Sequence, residues 1–308
     1  MVAYMIRRLL QGLIVIVLIS FATFGILQLA PGSPIDVMMG DAQLTQTQLD
    51  ALEHKWGLDK PWYEQYYTWA ANMLQGDFGV SIVRTGQPVS DMLYDAALVT
   101  LKLNLIAFGV SLAIAVPVGI LAGVRRNSIL DYVSMVGATL GIALPSFWIA
   151  LMLIIAFALK LGWLPSSGSG SWKSYVLPVT VLAIEQTALL ARVARGSTLE
   201  VLRQDYVMTA RAKGLANRTV IGRHVARNAM LPIITIIGLR LAFLFSGTII
   251  VETIFAWPGI GRLFMDSIFR LDYQVVQAVV LLLSVLVVAA NLVTDMIYAL
   301  VDPRIRLR

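Results

Sequence analysis

No charged residue occurs between Leu9 and Ala30, and this stretch follows Arg7 and Arg8 directly. A bilayer core of about 30 Å is crossed by about 20 mostly apolar residues in helical form. The run is longer than the 7–15 apolar residues of a secretory signal and ends in Pro31-Gly32, so it reads as an uncleaved first span. Further runs of spanning length lie at about Leu98–Val124, Val133–Leu159, Tyr175–Arg195, Leu231–Val251 and Val276–Val301. Six spans place both termini on one side. Only 14% of the 308 residues are charged and the mean hydropathy is +0.78, which argues against a water-soluble fold. The fold class is therefore all-α and integral to the membrane.

The connecting loops differ in charge. Residues 31–95 carry Asp36, Asp41, Asp50, Glu53, Asp59, Glu64, Asp77, Asp91 and Asp95 against Lys55, Lys60 and Arg84. The loop from Arg192 to Arg227 carries eight basic residues against Glu200 and Asp205. Arg125 and Arg126 mark the 125–131 turn, and Arg304, Arg306 and Arg308 the tail. Basic residues in short loops stay cytoplasmic, so both termini, the 125–131 turn and the 192–228 loop face inward and residues 31–95 face outward. The net charge of +6 thus reports orientation first, and nucleic acid is not an expected partner.

Within the outer segment, Thr45 with Gln48 forms a capping-box pattern for a helix ending near Gly57. Pro61 suits the first position of a second helix, through Tyr63, Tyr66, Tyr67 and Trp69 to Gly76-Asp77. Its aromatic stripe fits packing against the membrane domain or headgroups, or docking of an external partner. Trp257–Tyr273 is too polar to span and reads as a re-entrant or surface helix. Pro117, Pro145 and Pro178 bend or start spans, and Gly119, Gly123, Gly137 and Gly141 suit close helix approach.

Chemistry-bearing residues are few. The chain has no cysteine and two histidines, His54 and His224, in different segments, which leaves no basis for a thiolate metal site or a histidine triad. No Gly-x-x-x-x-Gly-Lys-Ser/Thr phosphate loop occurs. Glu185 and Arg240 are the ionisable residues deepest in the spans. Each costs about 2.5–3.5 kcal/mol at the bilayer centre unless paired or wetted. They fit a mutual pair, a translocation pathway in which Arg240 meets a substrate carboxylate, or snorkelling to an interface.

The stretch Asp205 to Leu215, continuing to Asn228-Ala229-Met230-Leu231-Pro232, reads as a helix, a stop at Gly214 and a second helix capped by Asn217. Ala210, Ala212 and Gly214 are small enough for another protein to approach closely. A basic helix resting on anionic headgroups fits the same residues.

This loop resembles the Glu-Ala-Ala…Gly signature of the coupling helix in ABC importer permeases, in register on Met208, Thr209 and Ala210 with Gly214 as the glycine. Its form here, Thr209-Ala210-Arg211-Ala212-Lys213-Gly214-Leu215, resembles the peptide/nickel branch of that family. So do Ala30-Pro31-Gly32-Ser33-Pro34, with Ser33 where glycine is typical, Gly57-Leu58-Asp59-Lys60-Pro61 and Gly76-Asp77-Phe78-Gly79-Val80-Ser81. Val251–Arg262 and Asp302-Pro303-Arg304-Ile305-Arg306 complete the series, so the resemblance covers nearly the whole chain.

The resemblance implies a type I ABC importer permease fold with six transmembrane helices and a helical extracytoplasmic insertion. The divisions are an N-terminal span (1–30), the extracytoplasmic segment (31–97) and a core permease domain (98–308) with a cytoplasmic coupling loop (196–230). It implies a multi-pass protein of the bacterial cytoplasmic (inner) membrane, in contact with lipid and not itself an enzyme. Expected partners are a homologous second permease, two ABC ATPase subunits and an extracytoplasmic solute-binding protein. No cofactor is expected on this chain; ATP and Mg belong to the ATPases. Thr209, Ala210, Arg211, Ala212, Lys213 and Gly214 are the expected ATPase contact. Di- or oligopeptides are the first expected cargo, with nickel chelates, glutathione-like peptides and sugars as alternatives. An ATP-independent transporter or channel would need ion sites that Glu185, Arg240 and Asp295 supply only sparsely, and a membrane-embedded enzyme lacks a nucleophile–base pair.

Overall fold

The computed structural model describes residues 2–29, 47, 51, 54, 57, 59–84, 86–242 and 248–301. The expected helix from Thr45 to Gly57, the Ala30–Pro34 motif and the Asp302–Arg306 tail lie outside or largely outside them. Among the described residues regular structure is helical apart from one isolated bridge, Val80 to Pro88. Among the described residues five helices are long and apolar enough to cross a membrane, six if one bent pair forms a single span. Chain contacts gather into two compact units, residues 1–100 with 258–308 and residues 101–257.

In the first unit, α1 (Val2–Leu29) packs along α12 (Tyr273–Val301). A methyl group at Gly12 would lie 2.5 Å from Val288 Cγ1, so the glycine sets that approach. Helix α2 (Trp62–Leu74) lays Tyr66 and Trp69 against Phe24, with ring centroids 5.4 and 6.3 Å apart. Phe21 meets Trp62 and Tyr66 edge-on, and Ser20 Oγ lies 3.0 Å from Tyr66 Oη. The aromatic stripe thus packs on the first span, while Trp62, Tyr63 and Tyr67 keep exposed surface.

Residues 76–84 and 86–88 then turn the chain. Gly76 and Gly79 have φ of +81° and +73°, which favour glycine. Ser81 N donates to Gln87 O at 2.9 Å. The buried carboxylate of Asp272 accepts from Ser81 Oγ and from Ile82 N. Helix α11 (Ile260–Phe269) is ten residues long, and its first amide donates to Thr100 Oγ1 at 2.9 Å.

Helix α3 (Val89–Val124) runs through 36 residues, about 54 Å at 1.5 Å per residue, and tolerates Pro117 in its interior. Its last part belongs to the second unit. There α4 (Ile129–Ala143) is capped by Ser128 Oγ, which accepts from Asp131 N at 3.3 Å. The expected third span is not one straight helix: it breaks at Leu144-Pro145 and turns by 105° into α5 (Ser146–Leu153) and a π-helical stretch, Ile154–Lys160. Pro145 forces Leu144 into an extended conformation, ψ 129°.

Helix α6 (Trp172–Leu202) begins earlier and ends later than the apolar run foretold, with Pro178 inside it. Gly119 and Gly123 of α3 approach it so closely that a methyl at either would lie 2.6 Å from Ala191 O or 2.7 Å from Thr198 Cβ. The expected start of span five near Leu231 is also corrected. A helical rod runs from α8 (Asn217–Thr219) through a second π-helical stretch (Val220–Ala226) into α9 (Arg227–Ala242), leaving Pro232 inside it. Residues 243–247 lie outside the described ones, and beyond them Ile249–Ile254 is helical, α10.

Candidate functional site

The loop after α6 is built by local rules. Arg203 ends α6, extended Gln204 precedes α7 (Asp205–Ala212), and Asp205 and Arg211 stand at the ends where their charges complement the helix dipole. The stop at Gly214 is a Schellman motif: Gly214 N donates to Arg211 O at 2.9 Å and Leu215 N to Ala210 O at 3.4 Å. Gly214 has φ +75°, as that motif needs. Ala216, not Asn217, occupies the N-cap position of the next helix.

What folds the loop is a small apolar cluster. Val207, Val220 and Val225 are fully buried, with Ala210 beside them and Val201 and Leu202 of α6 packed against the group. Each valine contributes about 1.5–3 kcal/mol of burial. Hydrogen bonds tie the loop to its flanking helices. Asn228 Nδ2 donates to Tyr206 Oη at 3.0 Å and to His224 O at 2.8 Å, and Ser197 Oγ donates to Ala229 O at 3.0 Å.

Thr209, Arg211, Ala212, Lys213 and Gly214 are exposed together. Ala210 departs from the expectation of an exposed small residue: it is only 6% exposed and serves the cluster beneath. The outward surface of α7 therefore consists of a threonine, a small alanine and glycine, and two cations, with Met208 and Tyr206 alongside.

Glu185 sits exposed on α6 and Arg240 half-buried in the last turn of α9. Among the described residues no ion pair joins them. The pair that does form was not foreseen. Arg195 Nε donates to Asp131 Oδ1 at 2.5 Å and Arg195 Nη2 to Asp131 Oδ2 at 2.8 Å, and Asp131 is nearly buried. In the sequence Arg195 counts merely as one more basic residue, and only the Ser128-x-x-Asp131 capping spacing marks Asp131. Glu252 in α10 is also fully buried and accepts from Thr248 Oγ1 at 3.0 Å.

Helices of membrane length, one of them followed by an exposed loop helix held on a buried apolar cluster, mark a multi-pass membrane protein. The chain belongs to the family described as the binding-protein-dependent transport system inner membrane component, whose model matches residues 115–307. A companion model for the N-terminal part of such components matches residues 1–103. The N-terminal model ends and the other begins within α3, with residues 104–114 between them. These are the permeases of ABC importers, as the motifs led one to expect.

Among named relatives, the chain is 42% identical over 315 residues to the oligopeptide transport system permease protein AppB of Bacillus subtilis (strain 168). It is 39% identical over 309 residues to the glutathione transport system permease protein GsiC of Escherichia coli (strain K12). Both alignments cover 99% of each chain. Among solved structures, one of the MetNI methionine ABC transporter in an inward-facing conformation matches with a TM-score of 0.54 and 20% identity. That match covers 68% of this chain and 96% of the other, and shows the shared type I permease fold.

Proposed function

We propose that this chain is one of two homologous permease subunits of an ATP-driven importer for di- or oligopeptides in the cytoplasmic membrane. The observation that carries the cargo class is the likeness over 99% of their length to permeases named for oligopeptide and for glutathione, itself a small peptide. The charge pattern supports cytoplasmic termini, so that residues 31–97 meet the solute-binding protein and the loop at 196–230 meets the ATPases.

On this reading the exposed face of α7, with Thr209, Arg211, Ala212, Lys213 and Gly214, docks in a cleft of an ATPase subunit. Ala212 and Gly214 let the partner backbone come near, and Arg211 and Lys213 steer acidic groups to the rim. Ala210 acts from beneath, fixing the helix to its apolar base. ATP and Mg are held by the partner subunits, and the permease itself catalyses nothing. Glu185 and Arg240, not joined by an ion pair among the described residues, are candidate pathway residues, Arg240 for a peptide carboxylate.

The test is purification of the complex from detergent-solubilised membranes with mass spectrometry of what accompanies this chain. A second permease and P-loop ATPases are the expected partners; recovery of the chain alone, under conditions that preserve known complexes, sinks the reading. Within an assembled complex, Gly214→Asp adds a Cβ at a positive-φ stop and an anion to the basic face. ATP hydrolysis is expected to persist while uptake into vesicles falls; unchanged uptake would show that α7 is not the coupling helix.

A further inference from the structure

The Asp131 carboxylate gathers three elements at the loop-side end of the second unit. It accepts two bonds from Arg195 of α6 and a third from the amide of Asn127, at 3.0 Å, in the turn between α3 and α4. Asn127 holds a left-handed φ of +61°, a conformation asparagine tolerates better than most side chains, and it places its amide on the carboxylate. Asp131 itself stands in the first turn of α4. A forked guanidinium–carboxylate pair fixes orientation as well as distance, which a lysine at 195 would not do.

The same stretch of α6 is gripped on its other sides. Gly119 and Gly123 bring the α3 backbone against Ala191, Ala194 and Thr198. Ser197 Oγ holds Ala229 of the rod that carries Val220 and Val225. From Arg195 the helix continues to Val201 and Leu202, which form the base of the loop cluster.

We propose that Asp131 and Arg195 are positioning residues that make the ends of α3, α4 and α6 and the loop helix α7 move as one body, so that a push on α7 is delivered to the spans rather than absorbed by the loop. This rests on the reading of α7 as the ATPase contact.

The chain lacks cysteine, so two introduced thiols are its only labelling points. Arg126→Cys in the turn and Met208→Cys on α7, both exposed, take spin labels in the full importer with cysteine-free partner subunits. One narrow label–label distance, the same in resting and ATP-trapped complexes, is expected. A distance that changes on trapping overturns the proposal without any change at the pair. Arg195→Gln in the assembled complex is expected to let that distance shift or broaden with ATP and to raise the ATP hydrolysed per peptide imported about fivefold or more, the low end of usual coupling effects. The exchanged pair, Asp131→Arg with Arg195→Asp, is expected to restore part of the ratio. A residue that merely stabilises the fold would lower the yield of complex and leave the ratio per complex unchanged, and that result overturns the proposal. A Thr209→Cys cross-link to an ATPase subunit tests the contact separately: its absence removes the coupling reading, whereas the distance measurement still tests the rigid body.

Discussion

The loop at 203–226 and the segment at 57–88 both connect long apolar helices, yet different forces hold them. The loop sits on valines with no exposed surface, Val207, Val220 and Val225, and hydrogen bonds from Asn228 and Ser197 supplement that base. The 57–88 segment has no fully buried residue in α2; it is held by aromatic edges against α1 and by the carboxylate of Asp272. Apolar burial is non-directional and resists a push from any side, whereas hydrogen bonds and ring edges fail once their geometry is lost. On the proposed function, a loop that passes force between subunits benefits from the first kind of support, and a segment that meets a solute-binding protein works with the second.

The substitution that breaks this contrast most sharply is Val220→Asp, which places a carboxylate among valines with no partner. A loss of more than about 4 kcal/mol in stability is expected, read as proteolysis of the loop and loss of ATPase binding. An intact loop in that variant would mean that the cluster is not what holds it. Asp272→Ala comes next. It leaves the Ser81 hydroxyl and the Ile82 amide without their acceptor, at a cost of about 1–3 kcal/mol, and is expected to expose residues 76–88 to protease while the loop at 203–226 stays resistant. Tyr66→Phe is the smallest. It removes the contact with Ser20 Oγ but keeps the ring, so a loss of about 0.5–1.5 kcal/mol in thermal unfolding is expected. A much larger loss would show that the hydroxyl, not the ring edges, fastens α2.

The apolar runs place α1, α3, α6 and α12 to within a turn or two at most ends, because membrane length and lack of charge suffice for that. The prolines mark where the sequence is silent. Pro117, Pro178 and Pro232 stay within helices while Pro145 turns the chain by 105°, and no flanking residue announces the difference. In the membrane the freed carbonyl is re-satisfied by whatever neighbour packs there, a tertiary matter. At the site, Gly214 was legible as a stop because its positive φ is a local demand. The inward turn of Ala210 was missed: its small size suggested an exposed contact, whereas it shares a helix face with buried Val207 three positions earlier. The bond from Arg195 to Asp131 was not legible either, for it joins residues 64 positions apart whose charges fit several partners.

The bond between Ser81 and Asp272 reaches across 191 positions. At about 5–20 residues per second a ribosome needs roughly 10–40 s to travel that far. A chain cut off before Asp272 lacks that acceptor for Ser81 and Ile82, so faster proteolysis at residues 79–84 is expected in such a truncation than in the finished subunit.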